Sequence, residues 1–239
     1  MQSTIADVLA RRSDLSTFIV HFTRKTHDGM SARKNLRSIL KAQVIEARSP
    51  FGPAAKSVKS ASDRKSQNCV SFSETPLEHV YCLSRRISKR QINLSKYGLA
   101  FTRMTARKKG ANPVWYVDIT PGHDWLMNPI NSLIERTIEK RKQFRTSRLA
   151  RITPFIEQMG SGFSYRKEFW WEREWRHCGD FMFSLDQVIF GFAPEERIAE
   201  FELYTERLGH KIPFVDPDWN LEKVIAHLCG CTEALTPFA

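Results

Sequence analysis

A single domain of mixed α+β class is predicted by three features of the sequence. Short apolar runs of strand length alternate irregularly with stretches whose apolar residues recur at helical spacing. Neither an internal repeat nor a linker divides the chain. At 239 residues with 41% apolar content, it is long enough to bury a sizeable core.

Taken in order, residues 4–14 read as a helix with Ile5, Val8 and Leu9 as its apolar stripe. Thr17-Phe18-Ile19-Val20-His21-Phe22 reads as a buried strand ending in polar groups, and residues 31–40 as a helix burying Leu36, Ile39 and Leu40. Residues 48–67, with two prolines, one glycine and many Ser, Lys and Arg, read as a long loop. Asn68-Cys69-Val70-Ser71-Phe72-Ser73 is a second strand, and Pro76 opens a helix running to about Arg90. Residues 97–103 and 113–119 are further strands, separated by a basic helix end that Gly110 closes. A helix over 129–148 buries Ile130, Leu133, Ile134, Ile138 and Phe144, with Arg and Lys on its other face. Residues 187–192 read as a strand and Pro194 opens a helix closed near Gly209. Residues 211–215 form an edge strand and 221–228 a final helix.

The densest chemistry lies in Phe169-Trp170-Trp171-Glu172-Arg173-Glu174-Trp175-Arg176. Its aromatic content reads as a strand, and period-2 geometry sets Glu172, Glu174 and Arg176 on one face with Trp171, Arg173 and Trp175 behind. Paired carboxylates of this kind suit a reaction that builds positive charge at a sugar carbon. An exposed strand edge carrying a salt-bridged charge ladder has the same pattern. His21 and Ser71-Phe72-Ser73 also fall at strand ends, where polar site residues are held rigidly.

Charge is uneven along the chain. Residues 1–110 carry 22 Lys/Arg against 7 Asp/Glu, and the remainder 15 against 19. A basic half of this size favours a polyanionic partner or an anionic small molecule, although a solvated basic face has the same composition. No run approaches the roughly 18–20 consecutive apolar residues of a membrane span, and the N-terminus lacks a basic-then-apolar signal pattern. Cys69, Cys82, Cys178, Cys229 and Cys231 show no metal-like pairing. No metal is therefore expected, no membrane partner is expected, and a reducing cytoplasm is the expected location.

The order of these sites resembles the ADP-ribosyltransferase superfamily, with a His or Arg on a first core strand, a Ser or aromatic residue on a middle strand and a Glu on a late one. More narrowly, the chain is similar to the AbiGi family of bacterial abortive-infection proteins. The resembling stretches are His21-Phe22-Thr23 with residues 35–40, residues 69–77, residues 97–101 with 112–116, and residues 172–176. The resemblance spans about residues 17–195, the core of one domain over 1–239, leaving 196–239 as a helical and edge-strand extension. It implies a split mixed sheet with flanking helices and NAD as a substrate. Glu174 would hydrogen-bond the 2′-OH of the nicotinamide ribose and stabilise an oxocarbenium-like transition state. Glu172 would act as base for the acceptor, and His21 would hold the adenosine-side ribose or the nicotinamide amide region. Thr23, Ser71 and Ser73 join the same NAD-binding set, Arg24 would neutralise the diphosphate, and Phe22, Phe72 or Tyr81 would face the nicotinamide ring. Phe22 stands where many relatives carry Tyr, and Ser71-Phe72-Ser73 departs from a strict Ser-Thr-Ser.

Tyr165, Arg166 and Lys167 fall where relatives present a substrate-recognition loop, with a nucleic acid as the expected acceptor. The resemblance also implies a phage-defence role and a cognate toxin or antitoxin partner. Three rival readings remain. The first is a non-enzymatic nucleic-acid-binding or antitoxin-like protein on the same fold, and the second a metal-dependent nuclease using Glu172, Glu174 and His177. The third is a partner-binding domain without a small-molecule site.

Overall fold

The structure is a computed structural model that describes residues 12–26, 28–85, 93–140, 143–162 and 166–231. In chain order the strands are β1 (Phe18–Phe22), β2 (Val44–Ile45), β3 (Ser49–Pro50), β4 (Asn68–Ser73), β5 (Gly98–Thr102) and β6 (Asn112–Pro113). They continue as β7 (Trp115–Asp118), β8 (Ile156–Met159), β9 (Glu174–Cys178), β10 (Phe181–Met182), β11 (Val188–Phe192) and β12 (Phe214–Val215). With the intervening helices they make an α+β protein containing a mixed sheet. The described residues fall into two compact units, one within 1–43, 74–105 and 183–239, the other within 44–73 and 106–182.

The first unit holds strands in the order β12-β11-β5-β1. β1 and β5 run antiparallel with His21 opposite Leu99, β5 and β11 are antiparallel, and β12 adds in parallel to β11. The apolar runs recognised in the sequence are buried here, with Ile19, Leu99, Ala100, Phe101 and Phe192 all at 0% exposure. The Ala32–Ala42 helix is capped by the Ser31 side chain, which accepts from Lys34 N–H, and it buries Leu36, Ile39 and Leu40. Ile198–Arg207 packs Phe201 onto Phe214 with ring centroids 5.1 Å apart. Gly191 makes that packing fit, because a Cβ there would lie 2.2 Å from the Phe214 ring.

In the second unit β9 lies between β4 and β6, all antiparallel, and β3 pairs with β4. β7 and β8 form a separate parallel pair. The helix Met127–Lys140 turns Ile134 into a cluster with Ala54, Val58, Phe144 and Ala150. Met127 joins Val117 and Ile156 in a second cluster.

Several sequence expectations need correction. The span 48–67 is not an irregular loop. It carries β3 and the short helices Ala54–Ser57 and Ala61–Lys65, held by long-range contacts that local composition does not encode. Ala54 is fully buried, and the buried Asp63 accepts from the Arg145 backbone N–H at 2.9 Å. The predicted strand over 113–119 is broken at Val114, whose N–H turns to Glu174 O, so β6 and β7 join different sheets. The 129–148 helix runs over Met127–Lys140, with Phe144 in a separate 3₁₀ turn. Pro76 caps a 3₁₀ turn followed by the helix Tyr81–Ser84. Residues 4–11 of the 4–14 helix, and the end near Arg90 of the Pro76 helix, lie outside the described residues, while residues 12–14 are not helical. β8, β2 and β10 had no recognised sequence signal.

Two glycines serve as a test of the packing. Gly52 has φ +81°, and a Cβ there would stand 1.9 Å from Thr153 O. Gly110 has φ +97°, and a Cβ there would meet nothing within 4 Å. Gly110→Ala is therefore expected to cost about 1–2 kcal/mol, the left-handed penalty alone. Gly52→Ala is expected to cost about 2–5 kcal/mol, because overpacking against backbone adds to that penalty. Urea unfolding of both variants checks the difference, and equal losses would show that the Thr153 contact yields.

Candidate functional site

The Phe169–Arg176 stretch is not one strand. Phe169–Glu172 forms a 3₁₀ turn, Arg173 adopts a left-handed conformation at φ 45°, and β9 begins only at Glu174. Glu172 consequently leaves the strand face predicted for it. Glu174 and Arg176 do share a face, while Trp175 is buried behind them at 5% exposure. Trp170 is more than half exposed and Trp171 half-buried.

Glu174 and Arg176 form the centre of a closed polar network. The guanidinium donates through Nε to Glu174 Oε1 at 3.0 Å and through Nη2 to Oε2 at 2.7 Å. Ser71, on β4, donates from Oγ to the same Oε1 at 2.6 Å. The β4/β9 register sets Ser73 opposite Glu174 and Ser71 opposite Arg176, so this contact runs diagonally across the strand pair. Arg176 Nη1 donates to Pro154 O at 2.7 Å, Nη2 also donates to Glu157 on β8, and the guanidinium lies 4.3 Å over the Phe51 ring. Glu157 in turn accepts from Lys167. The backbone N–H of Glu174 donates to Tyr116 Oη at 2.9 Å.

Arg176 is 1% exposed, so the network carries a charge out of water. Burial lowers the pKa of Arg176, but the charges and hydrogen bonds of Glu174 and Glu157 outweigh that effect and raise it overall. For Glu157, burial raises the carboxyl pKa, while Arg176 and Lys167 together hold it below the ordinary range. Burial pushes the Tyr116 phenol up.

The remaining predicted residues divide between the two units. His21, Phe22, Thr23, Arg24 and Tyr81 belong to the first unit, and Ser71, Phe72, Ser73, Glu172 and Glu174 to the second. Phe22 is buried with its ring 4.9 Å from Phe192, and Thr23 Oγ1 donates to Tyr97 O and Ala32 O. Tyr81 is 37% exposed. Phe72 is 1% exposed and packs edge-on to Phe181 at 5.0 Å, so its ring sits in the core. Tyr165 lies outside the described residues. Arg166 pairs with Glu168 on the surface, and Lys167 turns inward to Glu157.

His177 sits one residue past Arg176 and therefore on the other strand face. Its ring nitrogens lie 3.1 Å from Gly179 O and 3.0 Å from Lys109 O. Among the described residues no group of three or more His, Cys, Asp or Glu is placed to hold a metal ion. Cys69 and Cys178 face each other on β4 and β9, with Cys69 Sγ donating to Cys178 Sγ at 3.5 Å. That hydrogen bond and burial push the Cys69 thiol up, and the same hydrogen bond lowers Cys178.

Sequence reasoning paired Glu174 with Arg176 but missed Glu157, Tyr116 and Phe51. Tyr116 lay in a recognised strand with nothing to mark its hydroxyl. Glu157 belongs to a four-residue strand, and Phe51 to the misread loop.

A model of the family described as "Putative abortive phage resistance protein AbiGi, antitoxin" matches residues 37–208, more than two thirds of the chain. The chain belongs to the AbiGi family. No curated protein and no solved structure matches it. The AbiGi match takes in Ser71, Glu157, Lys167, Glu174 and Arg176, and hence the charged core of the network. His21 lies before its first residue. Among the described residues no helix is long and apolar enough to cross a membrane.

The network has a defined pH response. The folded-state pKa of Glu157 is depressed, so its contribution is present above the ordinary carboxyl value of 4.5 and is lost as pH falls through the folded value. The melting temperature is expected to fall below about pH 4.5, with a shallower fall in Glu157→Gln. Identical acid profiles for the two proteins would contradict this.

Proposed function

We propose that this AbiGi-family chain is the antitoxin of an abortive phage-resistance pair and that it acts by binding a partner toxin rather than by turnover at Glu174. The observation that carries this reading is the engagement of both Glu174 oxygens by Arg176, with Ser71 as a third donor. The carboxylate balances a guanidinium that would otherwise be buried with one counter-charge. Withdrawing a partner from a buried pair costs about 3–5 kcal/mol, a poor starting point for a group that must turn to a substrate hydroxyl. The family description names both abortive phage resistance and antitoxin.

A second reading, NAD-dependent ADP-ribosyl transfer to a nucleic acid on an ADP-ribosyltransferase-like scaffold, draws on one contact. Ser71 Oγ reaches Glu174 Oε1 from the neighbouring antiparallel strand, which joins the Ser and Glu positions of the resemblance. In that reading Ser71 orients the catalytic carboxylate. Arg176 would then have to remain on one carboxylate oxygen while the other engages the ribose.

The two readings separate in one experiment. Wild type and Glu174→Gln are incubated with labelled NAD alone and with single-stranded DNA, RNA or cell lysate, following nicotinamide release and label transfer. Each is also co-expressed with the toxin of its pair. The antitoxin reading predicts no Glu174-dependent release or transfer, and relief of growth arrest by wild type. Glu174-dependent transfer would overturn it in favour of the transferase.

A further inference from the structure

At the end of β9 away from Glu174, the second unit contains a cavity of about 320 Å³. Lys109, Arg145 and Arg151 all line it, with Asn112, Phe155 and His177 among the remaining walls. Its lining includes no Asp or Glu. Among the described residues none of the three cations is ion-paired. Arg145 reaches the neutral amide oxygen of Gln143, and the Lys109 ammonium lies 5.8 Å over the Phe181 ring. A concave site with three cations and no balancing carboxylate attracts an anion.

The cations come from three separate elements, each with its backbone or its neighbour's held by a hydrogen bond from another segment. Lys109 follows the Arg103–Lys108 helix, and its carbonyl oxygen lies 3.0 Å from His177 Nε2. Arg145 stands in the Phe144–Thr146 turn, whose backbone is fixed by Asp63. Arg151 projects from Leu149–Ile152, where Ala150 O accepts from the fully buried Gln67. Fixing these backbones sets all three cations around one concavity, unlike a row of cations along one solvated helix. Guanidinium groups suit forked contact with phosphate oxygens. Phe155, only partly exposed, supplies an aromatic wall beside them, and Asn112 an amide. The volume lies at the lower end of the roughly 300–1,000 Å³ of small-molecule sites.

We propose that this cavity binds a single nucleotide through its phosphate. The inference stands apart from toxin recognition and from chemistry at Glu174. The phosphate comes either from a free mononucleotide or from the 5′ end of an RNA strand, and the chemistry of capture is the same for both.

Calorimetric titration of the full chain tests it, using AMP, adenosine and an oligoribonucleotide with a 5′-phosphate or a 5′-hydroxyl. AMP is expected to bind at least about tenfold more tightly than adenosine, and Lys109→Ala and Arg151→Ala each to weaken AMP about tenfold. Arg145→Gln serves as a third variant if either change perturbs folding. Arg136→Ala, on the Met127–Lys140 helix, is expected to leave binding unchanged. AMP should also slow alkylation of Cys178, which lines the same cavity, as read by mass spectrometry. Competition by the 5′-phosphorylated oligomer alone assigns the RNA end as the source, and competition by neither oligomer assigns the free nucleotide. Equal binding of AMP and adenosine, unchanged AMP binding in the cavity variants, or no AMP binding at millimolar concentration would overturn the proposal. So would RNA binding that displaces AMP regardless of the 5′ group.

Discussion

The cost of taking the Arg176 guanidinium out of water governs the second unit. An isolated buried charge is prohibitively unfavourable, so it must be matched by counter-charge and by acceptors for its remaining N–H groups. Glu174 supplies a two-point contact, Glu157 a second carboxylate, Pro154 a carbonyl and Phe51 an aromatic face. These partners come from β9, from β8, from the turn before it and from the segment after β3. One cation thereby joins stretches separated by more than a hundred residues of sequence. A buried ion pair of this kind need not exceed a well-packed apolar substitute in stability, but removing one member strands the other.

Much of the architecture was legible because it rests on local periodicity. β1, β4, β5 and β11 are short apolar runs, and the Ala32–Ala42 helix carries both its Ser31 cap and its buried stripe within eleven residues. Legibility failed where tertiary contacts overrode composition. Residues 48–67 have the composition of a loop, yet Ala54 and Val58 are buried against Ile134, Phe144 and Ala150, far along the chain. Phe169-Trp170-Trp171-Glu172 has the aromatic content of a strand, but Arg173 reverses the backbone before the sheet is reached.

The candidate site was legible only in part, for the same reason. Two-residue spacing placed Glu174 and Arg176 together, and the Ser71 strand was grouped with them by chemistry before it proved a neighbour in space. Spacing says nothing about burial. At the surface the pair would be a charge ladder, and with Arg176 at 1% exposure it becomes a structural requirement. The AbiGi family match spans this charged centre. The residues of the cation-lined cavity at the opposite end of β9 gave no sequence motif because three elements contribute its cations.

On this geometry the Glu174 carboxylate is committed to holding Arg176. A double-mutant cycle in urea unfolding, with Glu174→Gln, Arg176→Met and both together, addresses it most directly. Commitment predicts a coupling energy of about 1–3 kcal/mol, with Glu174→Gln costing much less once Arg176 is gone. Losses that add to within about 0.5 kcal/mol would contradict it and return Glu174 to the pool of groups available for chemistry.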